Sequence, residues 1–399
     1  MSTSLFAGVE LAPRDPTLGI NEAFAQDSRP RKVNLGVGVY FTDDGRIPVL
    51  RAVAKAERER VQLSAPRGYL PIEGIAAYDS AVQKLLLGNS PLIGSGRVLT
   101  AQALGGTGGL KIGADLLKKV LPDAVVAVSD PTWENHRAIF EGAGFRVVSY
   151  PYYDAARHGL DFDAMMAALA ALPPRSIVIL HACCHNPTGA DPTPEQWQRV
   201  VDLVVERELV PFLDIAYQGF GAGIEEDGAL VRMFEAAGVT FLVSSSYSKS
   251  FSLYGERVGA LTIVDQSKDE SARVMSQLKR VIRANYSTPP THGGAVVATV
   301  LNTPALRAEW EQELGEMRER IKAMRRGLVE RLAARKAKRD FNFVLRQNGM
   351  FSYTGLNAAQ VQRLCDDYAI FAVSSGRVCV AALNSGNIDY VADAIAAVL

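Results

Sequence analysis

Charge of one sign is what this chain most plainly lacks. Its 43 Lys and Arg are matched by 43 Asp and Glu over 399 residues, leaving a formal charge of zero. Nucleic-acid binders usually carry a basic excess or a basic stripe. The strongest basic run here, Arg331-Leu-Ala-Ala-Arg335-Lys-Ala-Lys338-Arg339, reads as the solvated end of a helix, where cations suit the dipole. No nucleic-acid partner is expected. Cysteine is scarce too. Cys183 and Cys184 are adjacent, Cys365 and Cys379 lie far downstream, and four so placed make no disulfide framework. A chain of this length buries enough core to need no such staple. Long apolar runs are missing as well, and nothing approaches the ~20 residues of a membrane span. Pro13, Asp15 and Pro16 stand where a secretory leader would need its apolar stretch. The expectation is a cytoplasmic globular protein with reduced thiols and no membrane attachment. At roughly 150 residues per domain, its length suggests two or three domains.

Several familiar motifs are absent: G-x-G-x-x-G, the phosphate loop ending in G-K-S/T, G-x-S-x-G and H-E-x-x-H. The usual dinucleotide, nucleotide-triphosphate, hydrolase and zinc-protease readings therefore have no motif behind them. There is no internal repeat and no low-complexity segment.

What is present is alternation. Ala124–Val128, Phe145–Tyr150, Ile177–Leu180, Pro211–Asp214 and Thr240–Ser244 are short, apolar, β-branched runs, suited to strands covered on both faces. Between them lie amphipathic stretches, Leu110–Leu121 stopped by Pro122, and Glu195–Leu209 entered through Pro192 and Pro194. Alternating strands and helices predict an α/β fold, a mostly parallel sheet flanked by helices. Beyond Pro304 the pattern changes to one long amphipathic helix over 304–338. Strand-like segments follow at Phe341–Leu356 and Val373–Leu383, with helices at Ala358–Tyr368 and Asp389–Leu399. These predict a smaller α+β unit. Residues 1–30 read as an arm, and Val33–Tyr40 as a strand with no neighbour in sequence. The expected division is residues 1–45 as arm and small-domain segment, 46–303 as a large ligand-binding domain, and 304–399 as a small domain.

His181-Ala-Cys183-Cys184-His185 invites a metal reading, because a strand places 181, 183 and 185 on one face. Zinc sites usually draw spaced ligand pairs from separate elements, and free Cys packs as a small hydrophobe. A buried strand end is the better reading, and no metal is expected. The richer segment is Ser246-Tyr-Ser248-Lys249-Ser-Phe-Ser-Leu-Tyr-Gly-Glu-Arg257-Val-Gly259. A lysine just past a strand, its pKa lowered by burial or neighbours, can form a Schiff base with an aldehyde. Ser246, Ser248 and the Arg257 fork can hold a phosphate. An isolated S-x-S-K would be an ordinary polar loop; the spacing to Arg257 and Gly259 makes this one more specific.

That segment resembles the pyridoxal-phosphate attachment site of the class I aminotransferases, in the aspartate and aromatic amino-acid branch. The likeness runs in order through Asn34–Tyr40, Gly68–Gly74, Gly105–Gly108, Ser129–His136, Cys183–Gly189, Asp214–Gly221, Val281–Ser287, Gly349–Ser352 and Ser375–Arg377. It implies a fold-type I transferase with pyridoxal phosphate as cofactor. Lys249 resembles the Schiff-base lysine, which also moves the proton between Cα and C4′. Asp214 resembles the carboxylate facing the pyridine nitrogen, which keeps the ring an electron sink. Tyr217 and Asn186 resemble donors to the ring hydroxyl. Gly106 and Thr107, opening the helix near Leu110, would offer backbone N–H groups to the phosphate. Trp133 resembles the aromatic that stacks on the ring, and His136 could orient Asp214 from behind.

Two arginines imply the substrates. Arg377 resembles the fork on the α-carboxylate, with Gly38 beside it, and Arg283 resembles the receiver of a distal carboxylate. The resemblance brings Arg283 and Tyr69 from the neighbouring subunit of a homodimer with shared sites. Tyr69–Gly74, the Cys183-Cys184 pair and the Ser374–Val380 tail look closest to bacterial aromatic aminotransferases. The expected reaction passes the amino group of an aromatic amino acid or aspartate to 2-oxoglutarate. The alternatives are an aspartate enzyme with little aromatic activity and a pyridoxal-phosphate lyase. The paired Arg283 and Arg377 speak against the lyase. A cofactor-sensing regulator would need a DNA-binding segment, for which the arm is too short and not basic.

Overall fold

The short apolar runs pair into one seven-stranded sheet. In the computed structural model, which describes residues 4–12 and 18–399, its strands follow in chain order. They are β1 (Val98–Leu104), β2 (Val125–Asp130), β3 (Arg146–Pro151), β4 (Ile177–His181), β5 (Val210–Ile215), β6 (Phe241–Ser246) and β7 (Val258–Val264). Across the sheet they lie β1-β7-β6-β5-β4-β2-β3. β7 runs antiparallel to β1 and β6, and all other pairs are parallel. Five of these strands match the expected runs, while β1 and β7 are additions. Pro13, Asp15 and Pro16 lie outside the described residues.

Alternation along each strand sends residues into two cores. Ile177, Ile179, Phe212, Leu242 and Leu261 face one side; Val178, Leu180, Leu213, Val243 and Ala260 face the other. Strands β4, β6 and β7 are buried at every residue, as a sheet covered on both faces requires. Helix α1 (Gly105–Val120) starts at once after β1, five residues earlier than expected. Gly105, at φ +68°, makes so abrupt a turn possible. Helix α2 (Glu134–Gly142) follows β2. Helix α3 (Pro194–Glu206) opens on a Thr193–Gln196 capping box with Pro194 in its first turn.

The C-terminal part holds α4 (Pro304–Ala334) and α5 (Ile388–Val398). Helix α4 ends four residues short of the expected 338, and Lys336 turns the chain at φ +53°. The basic run is not simply solvated. Arg331 Nε meets Asp389 at 3.0 Å and Arg335 Nε meets Asp393 at 2.5 Å, tying α4 to α5. The strand-like segments shrink: only Phe351–Tyr353 and Arg377–Cys379 pair, antiparallel, with Tyr353 opposite Arg377. Residues 342–346 and 380–382 are instead 3₁₀ turns. Val33–Asn34, all that is strand in 33–40, pairs parallel with Ile370–Phe371. The arm is not wholly irregular, since Leu18–Gln26 is helical. No helix among the described residues is long and apolar enough to cross a membrane.

Candidate active site

The parallel strands β2, β4, β5 and β6 deliver their C-terminal ends to one place, where ligands of open α/β sheets bind. A cavity of about 280 Å³ opens there. Of the residues to which the resemblance gives a role, all but Tyr69, His136 and Arg283 line it.

Its floor is Asp214, near the end of β5 and 5% exposed. His136 Nε2 lies 2.9 Å from Asp214 Oδ2, and Thr132 Oγ1 lies 2.8 Å from His136 Nδ1. That pair of bonds suits a proton on Nε2, given to the carboxylate, with Nδ1 accepting from the threonine. Burial pushes the Asp214 carboxyl up. The His136 hydrogen bond, helped by the nearby Lys249 amine, outweighs burial and holds it below its usual value. Asp214 is therefore an anion at neutral pH.

Behind it the structure adds a residue that the sequence reads only as part of a buried strand end. His181 packs on His136 with ring centroids 4.9 Å apart. Burial, reinforced by His136, pushes His181 down to about 3, so it stays neutral. Its signal in the sequence was its place at the end of a strand adjoining the Asp214 strand. His181, Cys183 and His185 do not gather into one ligand group. His185 bonds Ser129 and Thr188, while Cys183 gathers instead with Cys184 and Asp227. Asp227 is already taken by the N–H groups of Gly219, Gly221 and Ala222.

Lys249 follows β6 by three residues and is partly buried, its Nζ 4.7 Å from the Tyr217 ring centre. Burial lowers its pKa to about 8, with Arg257 adding to the shift and Asp214 opposing it. An amine in that range is partly neutral near physiological pH and so nucleophilic.

One side of the cavity is a set of donors without an acid. Ser246 Oγ lies 3.3 Å from Ser248 Oγ, and Arg257 Nη1 reaches Ser248 Oγ at 3.3 Å. Gly105 N–H donates to the Arg257 carbonyl at 3.0 Å. A Cβ on Gly105 would sit 2.4 Å from Arg257 Nη2, so only glycine lets the arginine lie over the start of α1. Gly106 and Thr107 fall in the first turn of α1 rather than ahead of it, where N–H groups have no partner inside the helix.

The opposite side is Arg377, 2% exposed. Nη1 donates to Asn186 Oδ1 at 3.0 Å and Nη2 to the Gly36 carbonyl at 2.7 Å. Its Cζ lies 4.3 Å over the Phe351 ring, and its buried Nε has no partner. Every partner is neutral, and a buried cation in that condition favours an incoming anion. Gly38 adjoins it, since a Cβ there would stand 2.6 Å from Phe351 Cζ. Trp133 caps α2 and meets His136 edge to face at 5.3 Å.

Tyr69 and Arg283 are elsewhere. Tyr69 is 96% exposed. Arg283, also exposed, lies near the end of Lys268–Asn285 and donates to Ser287 Oγ.

Residues 30–395 match the aminotransferase class I and II family, and the chain belongs to it. It is an aminotransferase. It is 65% identical over 397 residues, 99% of this chain and all of the relative, to an aspartate aminotransferase of Pseudomonas aeruginosa. It is 52% identical over the same span to an aromatic-amino-acid aminotransferase of Escherichia coli, again complete. The crystal structure of an aromatic-amino-acid aminotransferase of Burkholderia pseudomallei, covalently bound to pyridoxal phosphate, superposes with a TM-score of 0.97. That protein is 68% identical, with both chains covered in full.

Proposed function

We propose that this aminotransferase works with pyridoxal phosphate borne on Lys249. It passes the amino group of an aromatic L-amino acid or of L-aspartate to 2-oxoglutarate. The observation that carries the reading is one cavity holding a partly buried lysine of lowered pKa between an ionised carboxylate and an acid-free donor cradle. These residues fit the cofactor. Ser246, Ser248, Arg257 and the first turn of α1 suit a phosphate, and Trp133 offers a face to an aromatic ring. When bound, the cofactor supplies an electron-withdrawing ring that takes up the electron pair of the broken Cα–H bond.

The side chains do the rest. Asp214, fixed by His136, holds a proton at the ring nitrogen. Lys249 Nζ, freed when the substrate amine takes its place, would carry a proton away from and back to the substrate carbon, a task suited to a group near neutral pKa. Tyr217 and Asn186 hydrogen-bond the ring hydroxyl. Arg377 grips the α-carboxylate, and Gly38 leaves room beside it. Arg283 receives a distal carboxylate when the substrate has one, and Tyr69 reaches the phosphate, both from a second subunit.

A homodimer accounts for exposed apolar side chains that solvent alone does not favour. Leu5, Phe6, Val9 and Leu11 of the arm are each at least 71% exposed, as are Val49, Val61, Leu63 and Tyr69. In the same reading, residues 46–303 form the large cofactor domain and 304–399 the small one. The N-terminal 45 residues supply the arm and a small-domain segment, and the enzyme is cytoplasmic. An aspartate-preferring enzyme is the second reading, favoured by the name of the Pseudomonas relative.

An amino-donor panel tests this. With 2-oxoglutarate as acceptor, Tyr, Phe, Trp and Asp should each give their keto acid and glutamate. Aspartate alone giving product would select the second reading. Pyruvate with ammonia, or no product, would overturn transamination of these donors.

A further inference from the structure

Beyond the cavity, one small hairpin ties the sheet to the ribbon that carries Arg377. The chain leaves β3 and forms a hairpin in which Tyr153 pairs with Leu160 and Asp154 with Gly159. Successive tyrosines at its root point opposite ways. Tyr152 stacks on buried His185 at 3.8 Å and donates its hydroxyl to the Ala190 carbonyl at 2.7 Å, anchoring the hairpin to the sheet side. Tyr153 meets Tyr353 edge to face at 5.1 Å. At the tip, His158 stacks flat on Phe343 at 3.9 Å, its backbone turned to φ +51°.

Tyr353 and Phe343 belong to the segment that seats Arg377. Tyr353 is the ladder partner of Arg377. Buried Gln347 holds Tyr353 through both backbone groups, donating to its carbonyl at 3.0 Å and accepting its N–H at 3.1 Å. Gly355, just beyond, lies under the hairpin tip. A Cβ there would come 2.8 Å from both His158 Cε1 and Arg339 Nη1, and Arg339 donates to the Gly355 carbonyl at 2.7 Å. Two aromatic contacts therefore fix this ribbon against the sheet at a point one ladder step from the carboxylate-binding arginine. Strands of three residues cannot fix their own position; a two-stranded ribbon is marginal alone.

We propose that Tyr153 and His158 form a clasp that positions Arg377, so that the hairpin sets the affinity for the substrate α-carboxylate without touching substrate. The proposal rests on the reading of Arg377 given above. It also assigns a pH response. Burial lowers the His158 pKa, Arg339 and Arg346 lower it further, and Asp154 opposes them. Asp154 itself is engaged by Arg157 at 3.2 Å. The ring is neutral at pH 7 and stacks. Acidification places a third cation beside Arg339 and Arg346 and loosens the clasp.

The test uses the holoenzyme with His158→Asn, which tolerates the positive φ, and with Tyr153→Ala. Each should raise KM for donor and acceptor alike by about two- to tenfold, the scale of one aromatic contact. The kcat, the visible spectrum of bound cofactor and its pH titration should stay put. The KM ratio of His158→Asn to wild type should shrink toward one as pH falls through the lowered His158 range, below 6.5, because the wild type loses the contact as the ring protonates. An unchanged KM in both variants overturns the clasp, and so does a KM ratio that is flat with pH. A change in cofactor spectrum alongside KM would show general disruption and also overturn it. Arg377→Lys separates the two readings. If it leaves KM unaltered, the role of Arg377 fails; if it raises KM while the hairpin variants do not, only the clasp fails.

Discussion

Asp214 and Arg377 face the same cavity and are held in opposite ways. Asp214 grows from a central strand of a wide sheet, with His136 bonded to it and His181 behind. Its ionisation is settled before any ligand arrives. Arg377 sits on a ribbon of three-residue strands, its guanidinium buried among neutral acceptors and its Nε without a partner. One side of the site is electrostatically complete and the other awaits a negative charge. The difference matches the chemistry: a resident cofactor needs a fixed setting, whereas a substrate that comes and goes should complete its own ion pair.

The largest effect should come from breaking the complete side. Asp214→Ala removes the only anion of the floor, so the ring nitrogen loses its proton near neutral pH. Cofactor should still bind through Arg257 and the serines. Single-turnover transamination should fall by about 10²–10³-fold or more, with Asp214→Glu partly spared. Near wild-type turnover in the alanine variant would mean the ring is not protonated from this side.

Much of that side was legible in the sequence because its residues come in short contiguous segments at strand ends. Lys249 follows β6, Asp214 lies near the end of β5, and Gly106 follows β1, so local order nearly fixes their meeting. His136 was legible only as one turn beyond Trp133. His181 is the buried strand end expected, but its place behind Asp214 is not legible, and the face it would share with Cys183 and His185 is broken where Cys184 takes φ +52°. Strand β7 went unread because its first residues belong to the Lys249 segment and drew attention as loop chemistry. The C-terminal ribbon was overread for the opposite reason. Most apolar side chains of Phe341–Leu356 and Val373–Leu383 are buried, but tight 3₁₀ turns bury them as well as strands do. The contact of Arg331 and Arg335 with Asp389 and Asp393 joins residues more than 50 apart, a pairing that spacing alone does not reveal.

A smaller and more selective loss should come from the incomplete side. If Arg283 forks onto a distal carboxylate, Arg283→Ala removes one partner of a desolvated charge pair, about 2–5 kcal/mol. At ~1.4 kcal/mol per decade that is roughly 30-fold to several thousand-fold in kcat/KM for aspartate. Phenylalanine and tyrosine half-reactions should change far less, since an aromatic ring needs no counter-ion. Equal losses for both classes would make Arg283 a structural residue.

The last effect is a recovery rather than a loss, and it asks whether the substrate side is completed by a second subunit. Within the chain, Arg283 is exposed and absent from the cavity that holds Lys249. A two-fold dimer would bring the two together across the interface. Lys249→Ala and Arg283→Ala, each nearly inactive toward aspartate, can be mixed in equal amounts and allowed to exchange subunits. Half of the dimers should then be hybrids. In each hybrid one site combines both lesions, while the other joins an intact Lys249 to an intact Arg283. Aspartate activity should rise to about one quarter of wild type by this symmetry count. Native mass spectrometry verifies the exchange independently of activity. Confirmed hybrids with no gain over the separate variants would place both residues in the same subunit's site, and the exposed position of Arg283 would then require a different explanation.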